Sequence, residues 1–410
     1  MTEPNPQPSS LKGSGQETAL RPLSGIKVID LTRYLAGPFC SQILGDYGAE
    51  VIKIEPVEGA RAEMGGYSGK DSYFFMCTNR SKKSVQIATR TADGHAVAQR
   101  LIDATDIVID NFRPGVMEAM GFDYDQLAVR NPRIISCSVS GFGPNGPLRD
   151  NPGFDQIAQG FSGLMSVTGT LESGPTRVGI AICDLLGGIF AAQGILLALQ
   201  ARHQTGRGQK VETSLIEAIV SVLSWSAGIY FDTGKSPAPA GNHHPLGSPH
   251  GVFQGADRPF NIAVGNEAMW RTFVTVIGRP EFARDARFAT LGLRLKNRDA
   301  LTAEINRALA GYPADHWIDE FNKSGIPSGP ILTIEEMFEH PQIAAREMLI
   351  KLAHPVHGAI KTTGLGVKLS ATPGAIARPP LLGEHTDEVL GAYGYTAEDL
   401  RRLRAVGAIK

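Results

Sequence analysis

Residues 25–54 read GIKVIDLTRYLAGPFCSQILGDYGAEVIKI, and their pattern indicates the fold class. Residues 26–31 form a short apolar run that predicts a strand. Residues 38–48 predict a helix, because Pro38 suits a first turn and Gly48 suits a helix end. Residues 51–54 predict a second strand. Strands that alternate with helices in this way indicate a parallel sheet.

The same alternation continues through the first half of the chain. Three further apolar runs predict strands at residues 84–87, 106–109 and 134–139, and residues 94–104 predict a helix. The predicted fold class is therefore α/β, with a doubly wound parallel sheet whose short strands are buried on both faces. Ligands of such sheets bind beyond the carboxyl ends of the strands, so the turns that follow these strands form the first candidate site.

The second half is more helical. Long helices are predicted at residues 185–204 and 214–231, and the turn-rich residues 233–242 predict a domain boundary. Thr333 and Glu336 have the spacing of a capping box, which predicts a short helix after Thr333. Strand-then-helix signals resume at residues 260–278, and helical signals return from residue 383 to the end.

One apolar run, at residues 181–199, approaches the length of a membrane span. It contains Asp184, Gln193 and three glycines, which favour a buried helix in a soluble protein. We therefore expect no membrane partner.

The composition excludes several other classes of function. The 410 residues are 42% hydrophobic and 20% charged, which is typical of a folded globular chain. The formal net charge of −1 excludes a broad nucleic-acid surface. The four cysteines form no C-x-x-C pair, so a zinc knuckle is excluded and a reducing compartment is favoured. The polar first 22 residues lack an apolar core, so we expect a disordered tail and a cytoplasmic location.

Two apparent motifs do not carry their usual function. Residues 141–146 match G-x-G-x-x-G after a predicted strand, but Pro144 and Pro147 prevent the helix that a dinucleotide site requires. The loop histidines have no spacing typical of metal ligands, so no metal site is predicted at His243, His244 and His250.

Basic residues mark two candidate anion sites. Residues 73–92 contain no acid and four bases, which form either an anion site or a solvated face: Arg80, Lys82, Lys83 and Arg90. Arg113 stands in a turn just after a predicted strand, where its guanidinium could hold a phosphate. Phe112 beside it could stack on a base or pack into the core.

Asp184 is the most informative acid, because it interrupts an apolar run where a helix begins. As a structural residue it would be the helix N-cap. As a functional residue it would be a nucleophilic carboxylate at a strand-to-helix junction. The residues by themselves are compatible with both roles.

Many short segments, in order along residues 22–395, resemble the class III CoA-transferases, the family of formyl-CoA transferase and carnitine CoA-transferase. Each segment is weak by itself, and their number and order make the resemblance specific. Asp184 falls in this series, and the other matching segments are GIKVIDLT (25–32), AGP (36–38), LGDYGAEVIKIEP (44–56), DIVIDNFRPG (106–115), NPRII (131–135), SGFG (140–143), PGFD (152–155), RVG (177–179), TGRG (205–208) and LLGEHT (381–386).

The resemblance implies a split, Rossmann-like doubly wound α/β domain made from both chain ends, with an inserted small α/β domain. It also implies an interlocked homodimer. The expected division of the chain is a tail (1–22), the first part of the large domain (23–205), a linker helix (206–232), the small domain (233–330), and a linker with the rest of the large domain (331–410).

The resemblance further implies roles for individual residues. Asp184 occupies the position of the catalytic aspartate. The positions expected to bind CoA are Leu35, Ala36, Ile87, Arg90, Asn111, Phe112 and Arg113. Coenzyme A enters as a thioester substrate, so no tightly bound cofactor is expected. The partners are an acyl-CoA, a small carboxylic acid and a second copy of the chain.

Some positions depart from the family pattern. Pro56 stands where some members have Arg, and residues 59–63 depart from the usual G-D-x-x-R, which puts CoA contacts from that loop in doubt. Residues 241–245, GNHHP, resemble a segment of dicarboxylate-type transferases. His243 and His244 could therefore hold a distal carboxylate of the substrate.

The same family contains 2-methylacyl-CoA racemases, which need an acid/base pair at the α-carbon. Racemases carry a G-H-D segment where this chain has Phe154 before Asp155, and phenylalanine cannot move a proton. Asp155 could orient the substrate or cap a helix. The favoured function is transfer of CoA from succinyl-CoA or another dicarboxylyl-CoA to a carboxylic acid through an aspartyl-CoA thioester. A racemase and a non-catalytic CoA-binding protein are the alternatives.

Overall fold

The computed structural model describes residues 20–58 and 73–410. Most of the predicted tail at residues 1–22 therefore lies outside the described residues, and so does the segment at residues 59–63.

The chain forms two compact units. Of the described residues, the first unit combines 20–58, 73–139, Gly188–Glu212 and Ile350–Lys410. The second comprises Ser140–Gly187 and Thr213–Leu349. The predicted small domain, residues 233–330, lies within the second unit.

The strands of the described chain are short. They are β1 Lys27–Asp30, β2 Glu50–Glu55, β3 Lys83–Gln86, β4 Ile107–Asp110, β5 Ile135–Ser140, β6 Lys210–Ser214, β7 His250–Gln254, β8 Pro259–Ala263, β9 Ser328–Pro330, β10 Leu349–His354 and β11 Gly358–Thr363.

Within residues 20–58 and 73–410, the α-helices are accompanied by one short 3-10 helix, Pro280–Ala283. They are α1 Ala36–Asp46, α2 Tyr73–Thr78, α3 Ala92–Asp103, α4 Val116–Ala119, α5 Tyr124–Arg130, α6 Asp155–Phe161, α7 Leu164–Val167, α8 Ile182–Thr205, α9 Leu215–Val222, α10 Ser224–Thr233, α11 Glu267–Val276, α12 Leu291–Lys296, α13 Arg298–Leu309, α14 Ala314–Lys323, α15 Ile334–Glu339, α16 Pro341–Ala345, α17 Thr386–Ala392 and α18 Ala397–Ala405.

A six-stranded sheet organises the first unit, in the order β3-β2-β1-β4-β5-β6. β1 pairs in parallel with β2 and with β4, and the pairs β2–β3 and β4–β5 are also parallel. The central strands are fully buried, as at Ile29, Ile52 and Val108. The predicted α/β class with a parallel sheet is therefore confirmed. The strand order reverses between β1 and β4, and such a switch point opens a crevice in which ligands bind.

The helices differ from the predictions in one place. The long helix predicted at residues 185–204 is present as α8, and one of its faces is buried at Ala191, Ile195 and Ala198. The single helix predicted at residues 214–231 is wrong, because α9 and α10 meet at an angle of 71°. Ser224 has a φ of 47°, and a left-handed residue cannot continue a right-handed helix.

The second unit has a small sheet of its own, β7-β8-β9, packed by the aromatic residues Phe260, Phe273 and Phe321. The predicted capping box is confirmed at the start of α15, where Thr333 and Glu336 exchange their hydrogen bonds. In the described chain no helix begins between β5 and α6, so residues 141–146 do not open a helix as a dinucleotide motif would.

Candidate active site

The loops after β1 and β4 lie at the switch point of the first unit. The Asn111 amide bridges them, because its Oδ1 accepts from the Arg33 N–H at 2.8 Å and its Nδ2 donates to the Arg33 carbonyl at 2.6 Å. Leu35 and Ala36 follow in the first loop and start α1. Gly188 of α8 packs on this start, since a Cβ there would lie 2.6 Å from the Ala36 carbonyl oxygen. The two loops are therefore held as one rim.

A buried carboxyl supports the turn after β4. Asp110 accepts hydrogen bonds from the Phe112 N–H and from the Ser138 hydroxyl, both at 3.1 Å. Burial raises the pKa of Asp110 to about 7, since these two donors and distant Lys210 offset it only in part. Phe112 is half-buried against the core, and Arg113 is exposed. The turn thus presents a guanidinium on a fixed backbone.

A second buried carboxylate lies at the end of β1. Both oxygens of Asp30 are used, with Ser41 Oγ at 2.6 Å, Thr32 N at 2.8 Å and Lys82 Nζ at 3.0 Å. Lys53 Nζ lies 3.7 Å away. Burial raises the pKa of Asp30, but the two ammonium groups and the hydroxyls lower it more, so that it lies well below its usual range. Because Ser41 and the Lys82 contact at Pro38 O belong to α1, this network fixes the start of that helix.

The basic stretch at residues 73–92 is mostly structural. Arg80 and Lys82 are buried, with Arg80 paired to Asp46 at 2.8 Å, so neither belongs to an open anion site or a solvated face. Lys83 pairs with Glu50 at 2.8 Å. The composition of the stretch could not show this, because every acidic partner is distant in sequence.

Arg90 is the exposed base of that stretch and precedes α3. Ile87 lies close by, but its side chain is in the core and it pairs with Ile409 in an isolated bridge. Of these two predicted CoA positions, only Arg90 presents its side chain to solvent.

In the second unit, Asp184 is the third residue of α8 and is half-buried. It is not the N-cap, because the helix already begins at Ile182. Among the described residues, no group donates a hydrogen bond to its carboxylate. Burial raises the pKa of Asp184 to about 7, and the negative charge of Asp155 adds to the effect. The pKa of Asp184 is therefore shifted in the direction opposite to that of Asp30.

Asp155, the first residue of α6, supplies the capping acceptor that Asp184 does not. Its Oδ1 accepts from the Cys183 backbone N–H at 2.8 Å, and its Oδ2 accepts from Gln159 Nε2 at 2.7 Å. Arg177 Nη2 lies 3.8 Å from Oδ2. Gln159 was not predicted from the sequence, although its spacing of four residues from Asp155 places both on one helix face.

The histidine loop belongs to the second unit. His244 stacks on His250 with ring centroids 4.7 Å apart, and His243 packs edge-on against Phe253 at 5.9 Å. Burial lowers the pKa of His243, and nearby Arg298 lowers it further. Arg298 Nη2 donates to the His244 carbonyl at 2.9 Å. No sequence pattern indicated Arg298, which is far from the loop along the chain.

Comparison with known proteins extends over most of the chain. Residues 23–386 match the family model described as CoA-transferase family III. The chain is 42% identical to the acetyl-CoA:oxalate CoA-transferase of Acetobacter aceti, over 87% of this chain and 92% of that protein. It is 37% identical to the succinyl-CoA–D-citramalate CoA-transferase of Chloroflexus aurantiacus, over 94% and 97%. A crystal structure of a CAIB/BAIF family protein from Brucella suis superposes with a TM-score of 0.82 and 35% identity, over 91% and 99%.

Proposed function

The chain belongs to CoA-transferase family III and is a CoA-transferase, and we propose that Asp184 performs the transfer through a covalent aspartyl-CoA thioester. The observation that carries this proposal is the state of Asp184. Its carboxylate is half-buried, has no hydrogen-bond donor among the described residues and has a pKa raised to about 7. A basic carboxylate whose lone pairs are not engaged is suited to attack a carbonyl carbon.

The steps balance without any net proton transfer. The Asp184 carboxylate attacks the thioester carbonyl of the donor, which gives a mixed anhydride and CoA thiolate. The thiolate attacks the aspartyl carbonyl, and the donor acid leaves as its carboxylate. The acceptor carboxylate then attacks the aspartyl-CoA thioester and releases the thiolate again. Attack of the thiolate on the acceptor acyl carbon gives the new acyl-CoA and restores Asp184.

The position of Asp184 favours these steps in two ways. Partial burial removes water, which would otherwise solvate the nucleophile and hydrolyse the anhydride. Asp184 also stands in the first turn of the 24-residue helix α8, whose positive end stabilises negative charge that develops on the carbonyl oxygens.

We propose that the rim of the first unit, together with Arg90 before α3, binds CoA. The exposed guanidinium groups of Arg90 and Arg113 would hold phosphates, and Phe112 would offer its ring to the adenine. The amide of Asn111 is already hydrogen-bonded to Arg33, so its part would be to hold the loop that carries Leu35 and Ala36. Ile87 would contribute by packing in the core, which holds the backbone near Arg90 in place. Arg113→Ala is expected to raise KM for the CoA thioester roughly tenfold with little change in kcat.

For the acyl group we propose dicarboxylates. The two relatives described above are named for oxalate and for succinyl-CoA with D-citramalate. In this chain His243 and His244 would donate N–H groups to a distal carboxylate. The His244 ring stacks on His250, and Arg298 donates a hydrogen bond to the His244 carbonyl. With succinyl-CoA as donor, dicarboxylic acceptors should exceed acetate in kcat/KM by about tenfold or more, and His244→Ala should reduce that ratio. Equal kcat/KM values for acetate and for the dicarboxylic acceptors would contradict the assignment.

The test of Asp184 is direct. Mass spectrometry of the enzyme incubated with succinyl-CoA should show a CoA adduct on the peptide that contains Asp184. Asp184→Ala should lose transfer by about 10⁴-fold or more and still bind CoA. Asp125→Ala is a matched control, because Asp125 is an exposed acid in the first turn of α5 and should leave transfer unchanged.

Two outcomes would contradict the proposal. One is full turnover by the Asp184→Ala enzyme. The other is an adduct that maps to another residue. Exchange of solvent deuterium into the α-carbon of a bound acyl-CoA, without formation of a new thioester, would instead favour the racemase alternative.

We propose that the enzyme acts as a cytoplasmic homodimer. Both units expose large apolar side chains on helices: Leu197 of α8 is 63% exposed, and Phe231 of α10 is 79% exposed. Such residues commonly mark interfaces, and a second copy of the chain would cover them. Light scattering at micromolar concentration should give twice the mass of 43.8 kDa, and a monomer would contradict this part of the proposal.

A further inference from the structure

We propose that Asp155 is a positioning residue that fixes the start of α8 and whose negative charge drives Asp184 toward the covalent intermediate. The inference rests on the proposed function of Asp184 and assigns a second acid to the same site. It differs from the expectation that Asp155 orients the substrate, because both of its oxygens already accept hydrogen bonds from the protein.

The positioning role follows from the hydrogen bonds around α6. Asp155 Oδ1 holds the N–H of Cys183, the residue next to the nucleophile, at 2.8 Å. Gln159, one turn later on α6, donates to Asp155 at 2.7 Å and accepts from the Val178 N–H at 2.9 Å. Asp155 and Gln159 therefore hold the two ends of residues 178–183, the segment that leads into α8. By fixing the start of the helix, these hydrogen bonds also fix the position of Asp184.

The electrostatic role follows from the charges that face Asp184. Burial raises the pKa of Asp184, and the negative charge of Asp155 on α6 raises it further. Cys183 stays a neutral thiol, because burial and the two carboxylates raise its pKa to about 12. Glu217 of α9 is engaged with Ser214 at 2.6 Å.

Arg177 pairs with Asp155, but it is poorly placed to compensate Asp184. Arg177 is exposed, and its Nη2 lies 3.8 Å from Asp155 Oδ2, at the far oxygen from the Cys183 contact. Two carboxylates thus repel each other across a partly dry site.

The covalent step removes that repulsion. When Asp184 forms the bond to the acyl carbon or to the CoA sulfur, its negative charge leaves with the displaced thiolate or acid. The site then holds one carboxylate, Asp155, and the intermediate is favoured over the free enzyme. An ionised neighbour is therefore useful here, although it would be unfavourable at a purely structural site.

Asp155→Asn tests this inference, because it keeps an acceptor for the Cys183 N–H and removes the charge. At pH 8.5 and a fixed ratio of succinyl-CoA to succinate, the ratio of CoA-adduct to free enzyme should fall about tenfold in intact-protein mass spectrometry. The midpoint of the pH profile of transfer should fall by about one unit. Asp155→Glu, which keeps the charge and changes the reach, should leave the midpoint within about 0.3 units and lower kcat.

The outcomes separate this inference from the proposal on Asp184. No adduct in the unmodified enzyme would contradict the function of Asp184 itself. A normal adduct in that enzyme, with an unchanged adduct ratio and pH midpoint in Asp155→Asn, would overturn only the role of Asp155. A raised KM for the acceptor acid with an unmoved midpoint would also overturn it, because Asp155 would then contact the substrate. Should Asp155→Asn fail to fold, a displaced midpoint in Asp155→Glu would count against the charge effect.

Discussion

Asp30 of the first unit and Asp184 of the second are both carboxylates near the start of a helix, and their surroundings are opposite. Asp30 is fully buried and has two lysine ammonium groups and two hydroxyls around it, so its pKa lies well below the usual range. Asp184 is less buried, has another carboxylate as its neighbour, and has a pKa of about 7. Burial opposes ionisation at both positions, so the neighbours decide the direction of the shift.

The two environments show which of the two acids is available for chemistry. The lone pairs of Asp30 are engaged by donors that also hold α1, so this carboxylate serves the fold. Asp184 contributes no such support and keeps its oxygens unengaged among the described residues. A buried acid that lacks compensation is a candidate functional group, whereas a compensated one is a structural element.

The largest effect should come from removing one of the two ammonium groups that compensate the negative charge of Asp30. Lys82→Met leaves Asp30 with one cation and should lower the free energy of unfolding by about 3–5 kcal/mol. Lys83→Met is a matched control, because its ion pairs are partly exposed and should be worth under about 1 kcal/mol. Urea unfolding of both variants measures the difference, and equal losses would show that Asp30 does not need Lys82.

The pH dependence of transfer should show the state of Asp184. Since its pKa is about 7 and only the carboxylate attacks, each pH unit below 7 lowers the active fraction tenfold. Transfer at pH 5 should therefore be about 100-fold slower than on the plateau above pH 8. Circular dichroism at pH 5 controls for unfolding. A rate that stays flat down to pH 5 would mean that Asp184 is as acidic as an ordinary aspartic acid.

A smaller loss should follow from removing one hydroxyl of the Asp30 network. Ser41→Ala deletes the 2.6 Å hydrogen bond to Asp30 Oδ2 and should cost about 1.5–3 kcal/mol of unfolding free energy. Ser166→Ala, which removes an exposed hydroxyl, should cost little. If the two substitutions have the same small effect in urea, hydroxyl donors do not stabilise the Asp30 charge.

The smallest effect should be a gain in the free energy of unfolding instead of a loss. The pKa of Asp184 is higher in the folded chain than its ordinary value of 3.8, so stability is lost as the pH rises toward and through 7. Asp184→Asn removes that cost and should stabilise the protein at pH 8.5 by about 1 kcal/mol, a figure reduced for partial solvent exposure. The gain should shrink as the pH falls toward 4. Destabilisation at pH 8.5 would place Asp184 among the structural acids.

The sequence was informative where structure is local. Buried strands such as residues 51–54 are runs of apolar residues bounded by turn formers, and the parallel class follows from their alternation with helices. Asp184 could be singled out because a charge inside an apolar run is costly unless it has a use.

Tertiary partners were beyond the reach of the sequence. Arg80 pairs with Asp46, which lies in another element of the chain. The composition of residues 73–92 therefore showed the base but not its acidic partner. The break at Ser224 depends on a left-handed backbone in a residue that does not favour it. The capping of α8 by Asp155 needed the position of α6, and the sequence therefore suggested Asp184 itself as the N-cap.

The bridge between Ile87 and Ile409 has a consequence for biosynthesis. Ala88 also donates to the Ala408 carbonyl at 2.8 Å, and the last helix contributes Leu400 and Leu403 to the core beneath the sheet. The first unit therefore cannot close until residues 400–409 have left the ribosome, although most of its strands emerge long before. Nascent chains stalled short of residue 400 should leave that apolar surface open to chaperones, and the emergence of α18 becomes the event that completes folding of this unit.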